Sequence, residues 1–258
     1  MDSRERGLLT ATVDTLAVKI FADGADLARV EERCREPWIK GFTTNPTLMR
    51  AAGVADYRTF AQELLGLVSD RPISFEVIAD DLDEIERQAR EIATWGENVF
   101  VKVPITNTRR ETMARVARSL AGDGIKVNVT ALMTVPQVEQ AASWLAEGPA
   151  GFVSVFAGRI ADTGRDPVPI MTAALAAMAP YPHLELIWAS PREVLNVVQA
   201  DAIGCHVITV TDEILNRLST LGRDLDEFSL DTVKMFHRDA EAAGYLLEPR
   251  DARPRSAA

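Results

Sequence analysis

Cysteine and histidine are scarce in this sequence, and its basic residues are outnumbered by acidic ones. Its only cysteines are Cys34 and Cys205; they are too few for a disulfide framework or a thiolate zinc site, they lack CxxC spacing, and a reducing cytoplasm is their simplest setting. The three histidines, His183, His206 and His237, stand far apart and none belongs to an HExxH pattern, so no metal site is expected. No apolar run approaches the roughly 18 residues of a membrane span. The opening MDSRERGLL carries charge without an apolar core of signal length, so neither export nor membrane insertion is expected. Lys and Arg number 28 against 38 Asp and Glu, a formal net charge of −10. Nucleic acid and anionic membrane surfaces would be repelled, and an anionic substrate would need a few local arginines. A GxGxxG or Walker pattern is also missing after the first apolar run, which weighs against a doubly wound nucleotide-binding sheet.

What is present is a regular alternation. The 258 residues, 47% hydrophobic and 26% charged, have a globular composition and suit one α/β barrel. Short β-branched runs fall at Val18–Asp23, Gly41–Asn45, Ile73–Ala79, Val99–Ile105, Lys126–Leu132, Gly151–Gly158, Leu184–Ser190 and Cys205–Thr211. Amphipathic stretches such as Leu82–Thr94 and Arg110–Leu120 lie between them. Helix starts are marked by Thr134-Val-Pro136, Ser190-Pro191-Arg192 and Thr211-Asp212-Glu213, and stops by Gly53, Gly122 and Gly124. Eight βα units close into a (β/α)₈ TIM barrel of parallel strands. One more helix is expected over Asp226–Gly244, with Phe228, Leu230, Val233 and Phe236 on a stripe that can cover the barrel or a partner in a homo-oligomer. The expectation is a single domain over 1–258, its core at 18–244, followed by a Pro- and Arg-rich tail at 247–258 that frays.

Barrel active sites are built at the C-terminal strand ends. Polar residues there are Asp23, Thr44 with Asn45, Glu76, Lys102, Asn128 with Thr130, Arg159, and Ser190 with Arg192. Lys102 is flanked by Val99-Phe100-Val101 and Val103-Pro104. Burial there disfavours the ammonium and would leave a neutral amine able to attack a carbonyl; the alternative is a lysine snorkelling to water. Glu76 lies in an apolar strand, poised for proton transfer or simply for an ion pair with Lys102 or an arginine. Asp23 and Asp26 are both candidate caps of the first helix. Arg159 and Arg192, with Ser190, offer the donors a phosphate needs, or surface ion pairs.

Five strings, in order, resemble the transaldolase family: Phe21-Ala22-Asp23, Thr43-Thr44-Asn45-Pro46-Thr47, Val101-Lys102-Val103-Pro104, Phe156-Ala157-Gly158-Arg159-Ile160 and Ala189-Ser190-Pro191-Arg192. The resemblance runs from about Val18 to Gly244. It implies class I aldolase chemistry with neither metal nor organic cofactor, in which a ketose phosphate gives a dihydroxyacetone unit to an aldose phosphate. Lys102 would form the iminium, Glu76 with Thr130 would activate a water, and Asp23 would take the hydroxyl proton that triggers cleavage. Thr44, Asn45, Asn128 and Phe156 would line the substrate, and Arg159, Ser190 and Arg192 would grip its phosphate. The family's lytic fructose-6-phosphate aldolases tend to carry glutamine where Glu76 stands and tyrosine where Phe156 stands, so this chain resembles the transferring branch. Pro191 departs from the phenylalanine of classical transaldolases and leaves the acceptor open. The rivals are a lytic aldolase using free dihydroxyacetone and a non-catalytic barrel that only binds sugar phosphate.

Overall fold

The computed structural model describes residues 12–245 and residue 247. Expectations for the opening segment, and for the tail from 248 onward, fall outside the described residues. Within Thr12–Leu221 the order is β1 (Lys19–Asp23), α1 (Leu27–Cys34), β2 (Ile39–Thr43), α2 (Pro46–Ala51), α3 (Tyr57–Leu67), β3 (Ile73–Glu76), α4 (Leu82–Ala93), β4 (Val99–Pro104) and α5 (Ala114–Gly122). It continues through β5 (Val127–Leu132), α6 (Val135–Trp144), β6 (Gly151–Val155), α7 (Ala157–Ala161), α8 (Pro167–Met178), β7 (Leu184–Trp188), α9 (Leu195–Ala202), β8 (Val207–Thr211) and α10 (Asp212–Arg217). Each strand pairs in parallel with the next, and β8 returns to β1, so the sheet is a closed (β/α)₈ barrel. A separate helix, α11 (Leu225–Ala243), starts at the Asp224 cap and ends at Gly244, whose φ of 66° is a left-handed stop. It buries none of its residues; Phe228, Leu230, Val233 and Phe236 are all exposed. No described helix is long and apolar enough to cross a membrane.

Strand alternation builds the interior. On β4 the residues Phe100 and Lys102 share a face, as do Phe21 and Asp23 on β1 and Phe152 and Ser154 on β6. Phe21, Phe100, Phe152, Ile187, Ala189 and Val207 pack together as a cluster of their own. The Phe152 ring meets Phe21 edge-on at 5.6 Å and Phe100 at 4.3 Å. Gly41 makes the room this needs, since a Cβ there would lie 2.6 Å from the Phe21 ring. The outward residues of the strands join the helices in the larger core, with Ile73, Val101, Val129, Leu186 and Ile208 fully buried.

Several boundaries differ from the sequence pattern, each for a local reason. The second strand stops at Thr43 because the Asn45 side chain caps α2, accepting from Leu48 N at 3.0 Å. The first helix is capped by Asp26, which accepts from Ala28 N and Arg29 N, so Asp23 is not a cap. The fifth helix begins at Ala114 rather than Arg110, whose φ of 64° is left-handed and incompatible with a helix. Ser190, at φ 61°, also caps nothing; α9 starts five residues later. Thr134 caps as expected with a complete capping box, and Gly53 and Gly124 do adopt left-handed stops.

Candidate active site

The two residues that looked most out of place in the sequence meet. Parallel pairing of β3, β4 and β5 sets Glu76 opposite Lys102 and Lys102 opposite Asn128. Lys102 is 6% exposed, which excludes the snorkelling alternative. Its Nζ donates to the Thr44 carbonyl at 2.9 Å and lies 3.1 Å from Glu76 Oε2. The ion-pair reading of Glu76 and its proton-transfer reading therefore describe one geometry, a carboxylate within reach of the amine.

Asp23 closes the same site from β1. Its carboxylate accepts from Thr43 Oγ1 at 2.7 Å, and that oxygen is 2.5 Å from Thr209 Oγ1. Because Thr43 has one proton and gives it to Asp23, Thr209 donates in turn to Thr43. Burial pushes the Asp23 carboxyl above the ordinary aspartate range; Lys102, Thr43 and Asn45 hold it down in part, and Glu76 pushes it further up. Asn128 is locked at both ends, Nδ2 donating to Ser74 Oγ at 3.1 Å and Oδ1 accepting from Ser154 Oγ at 2.7 Å. Thr44 spends its hydroxyl on the Ser74 carbonyl at 3.1 Å and turns its own carbonyl to the lysine. Thr130, two residues beyond Asn128 on β5, is 1% exposed, and its hydroxyl has no hydrogen-bond partner among the described residues. Leaving a buried hydroxyl unpaired is costly, so that oxygen is a natural contact for water or substrate.

The cationic group forms at the exits of β6 and β7. Gly158, in the first turn of α7, lies against the Ser190 backbone, where an added Cβ would fall 1.6 Å from the Ser190 carbonyl oxygen and 3.3 Å from Arg192 Nε. Asn196 accepts from Arg192 N at 2.7 Å and Glu193 N at 3.2 Å, which fixes the loop carrying the arginine. The Arg192 guanidinium meets Asp162 in a two-point ion pair at 3.0 and 2.5 Å. Arg159 sits on α7, exposed, and like Arg192 it helps hold the Asp162 carboxyl below the usual range, behind the hydrogen bond from Arg192. Phe156, half-buried, packs on the cluster that contains the three interior phenylalanines.

Sequence reasoning missed Thr43, Ser74, Ser154, Thr209 and Asp162 as members of this arrangement. For the first four a signal existed: each is two residues along its strand from an interior residue, as Ser74 is from Glu76 and Ser154 from Phe152. Asp162 carried none, since its partner is thirty residues away. Among the described residues no group of three or more His, Cys, Asp or Glu could hold a metal ion.

A parallel barrel thus holds a buried lysine between a carboxylate and polar strand ends. The chain belongs to the Transaldolase/Fructose-6-phosphate aldolase family, whose model matches residues 20–247. It is 31% identical over 202 residues to a probable transaldolase of Dehalococcoides mccartyi, covering 78% of this chain and 90% of that protein. It is 35% identical over 211 residues to a probable transaldolase of Streptococcus agalactiae, covering 79% and 90%. Among solved structures it is similar to mandelate oxidase with benzoyl-formic acid, with TM-score 0.52, 13% identity, and 82% and 73% of the two chains covered. It is also similar to a dihydrodipicolinate synthase from Rhodopseudomonas palustris, with TM-score 0.52, 11% identity, and 78% and 71% covered. These two likenesses are of fold alone.

Proposed function

We propose that the chain transfers a three-carbon dihydroxyacetone unit from a ketose phosphate to an aldose phosphate through a Schiff base on Lys102. The observation that carries this reading is the buried amine of Lys102 held within 3.1 Å of Glu76. Glu76 takes a proton from the amine, which then attacks the C2 ketone. Loss of the C2 oxygen as water, with protons relayed by Glu76 and a water shared with Thr130, gives the iminium. Asp23, a stronger base for its burial, accepts the C4 hydroxyl proton. The C3–C4 bond breaks, its electrons pass into the iminium, and the shortened aldose phosphate leaves a lysine-bound enamine. An incoming aldose phosphate reverses these steps.

Asn128 and Asn45 orient the hydroxyls of the bound fragment, and Ser190, Arg192 and Arg159 receive the phosphate of donor and acceptor in turn. The enamine must outlive the exchange of one aldose for another, so water has to stay out. Retention of glutamate at 76 and phenylalanine at 156, rather than glutamine and tyrosine, supports transfer over release of free dihydroxyacetone.

The test is borohydride trapping: the protein is incubated with fructose 6-phosphate, reduced, and its peptides weighed. A three-carbon adduct on Lys102, absent in Lys102→Ala, is expected. Cleavage of the ketose phosphate at full rate without any acceptor would favour the lytic reading. Binding with no adduct from any ketose phosphate would leave a sugar-phosphate-binding barrel.

A further inference from the structure

Glu76 ends the shortest strand of the barrel, Ile73–Glu76, and its support is lopsided. Pairing with β2 covers only Ile73 and Ser74, whereas pairing with β4 runs on to Glu76. On the β2 side the ladder has run out where the carboxylate must be held against Lys102.

Other groups take over there, one residue at a time. The Glu76 carbonyl accepts from Tyr57 Oη of α3 at 2.9 Å, and Val77 N donates to the Lys102 carbonyl at 3.1 Å. Ile78 N and Ala79 N both donate to Gln88 Oε1 of α4 at 3.0 Å. The Asp80 carbonyl accepts from Asn107 Nδ2 at 3.0 Å. Asp80 then reaches across with its carboxylate, accepting from Thr108 N at 2.8 Å, Thr108 Oγ1 at 2.6 Å and Arg109 at 3.2 Å. Asn107 and Thr108 belong to the loop that leaves β4, the strand of Lys102.

That second loop is built around Asn107, which is 7% exposed. Its Oδ1 accepts from Arg109 N at 3.0 Å and Glu111 N at 2.9 Å, closing a turn in which Arg110 is left-handed and Thr106 bridges Thr112. Nothing in this arrangement touches the reacting atoms. The helices α4 and α5 could follow their strands without it, and a strained non-glycine turn persists only where its surroundings impose it.

We infer that Asp80 and Asn107 form a clasp between the β3 and β4 exit loops whose role is to hold the Glu76 carboxylate in register with Lys102. They are positioning residues that act through Glu76. This rests on the Schiff-base reading of the site.

Asn107→Asp is the sharpest probe, because the new carboxylate still accepts from Arg109 N and Glu111 N but can no longer donate to the Asp80 carbonyl or to the Glu111 carboxylate. With fructose 6-phosphate, kcat and the rate of borohydride-trapped adduct formation should fall roughly tenfold while KM moves less than about twofold. In a Glu76→Gln background the same change should cost less than about twofold, since there is no carboxylate left to position. Asp80→Asn, which removes a half-exposed charge paired with Thr108 and Arg109 and leaves the carbonyl contact, should show the same pattern at roughly threefold and serves if the first variant does not fold. Equal losses with and without Glu76, or a loss that tracks only the folded fraction in thermal unfolding, would overturn the clasp. No Lys102 adduct in the wild type would overturn the functional reading, and the clasp's role with it; an adduct there combined with equal losses would overturn the clasp alone.

Discussion

The two ends of the barrel interior are made by the same strands and have opposite chemistry. Phe21, Phe100 and Phe152 form the lower end; two residues further along those strands stand Asp23, Lys102 and Ser154. One strand repeat, about 7 Å, separates apolar packing from a hydrogen-bonded polar layer. The lower end fills the barrel with rings packed on one another and leaves an apolar floor beneath the polar layer. The polar residues above it then have one another and whatever enters from the mouth as partners, and the structure pairs them accordingly: lysine with glutamate, aspartate with Thr43 and through it Thr209, asparagine with two serines. A dry floor makes each unpaired group above it expensive, and a charge that stays there is fixed in place by its partners.

This contrast can be broken from below. Phe152→Ala removes the ring that touches both other phenylalanines, and should cost about 3–5 kcal/mol of stability in urea unfolding. Water reaching the layer above should also raise release of free dihydroxyacetone relative to transfer.

Two glycines sharpen it. A methyl group at Gly41 meets the Phe21 ring at 2.6 Å, and one at Gly158 meets the Ser190 backbone at 1.6 Å. Each alanine variant should lose about 1–3 kcal/mol in the same assay through overpacking. Only Gly158→Ala should raise KM for a phosphorylated donor, by roughly tenfold, because it displaces the loop that presents Ser190 and Arg192. An unchanged KM would remove Gly158 from the account of the proposed phosphate site.

The smallest expected effect concerns Asp23. Its folded-state affinity for a proton is raised by burial above the ordinary value of 3.8. In the window between 3.8 and the higher folded value the native state holds the proton more tightly than the unfolded chain. Stability contributed by this group is therefore full at low pH and is lost as pH rises through that window. Asp23→Asn should unfold at a higher temperature than wild type at neutral pH, and the gain should vanish as pH falls towards 3.8. The proposed transfer activity should be lost in the same protein, the reverse of what a purely structural aspartate would show.

Much of this arrangement could be read from the chain. Lys102 and Glu76 were conspicuous because a charge within an apolar strand needs a reason, and the alternation of eight strands indicated at which end of each the polar residues gather. Asp23 was ambiguous, since Asp26 is an equally good cap and only the observed hydrogen bonds to Ala28 and Arg29 release Asp23 for the interior. Arg110 was misread as helical because its neighbours have helical periodicity; the turn around Asn107 overrides that preference. Thr209 and Ser154 were passed over because a hydroxyl in a β-branched run looks like ordinary strand composition.

Hydrophobic periodicity and the order of the polar strand ends, which are local properties, determined the barrel and nominated Lys102, Glu76 and Asp23. Register, which is not local, decided the rest. Which residue of β3 stands opposite Lys102, which threonine reaches Asp23, and which carboxylate meets Arg192 all depend on how closed strands are staggered around the barrel and where their loops cross. Pairings across 20 to 30 residues are set by the packing of the whole interior, and no window of sequence contains that information.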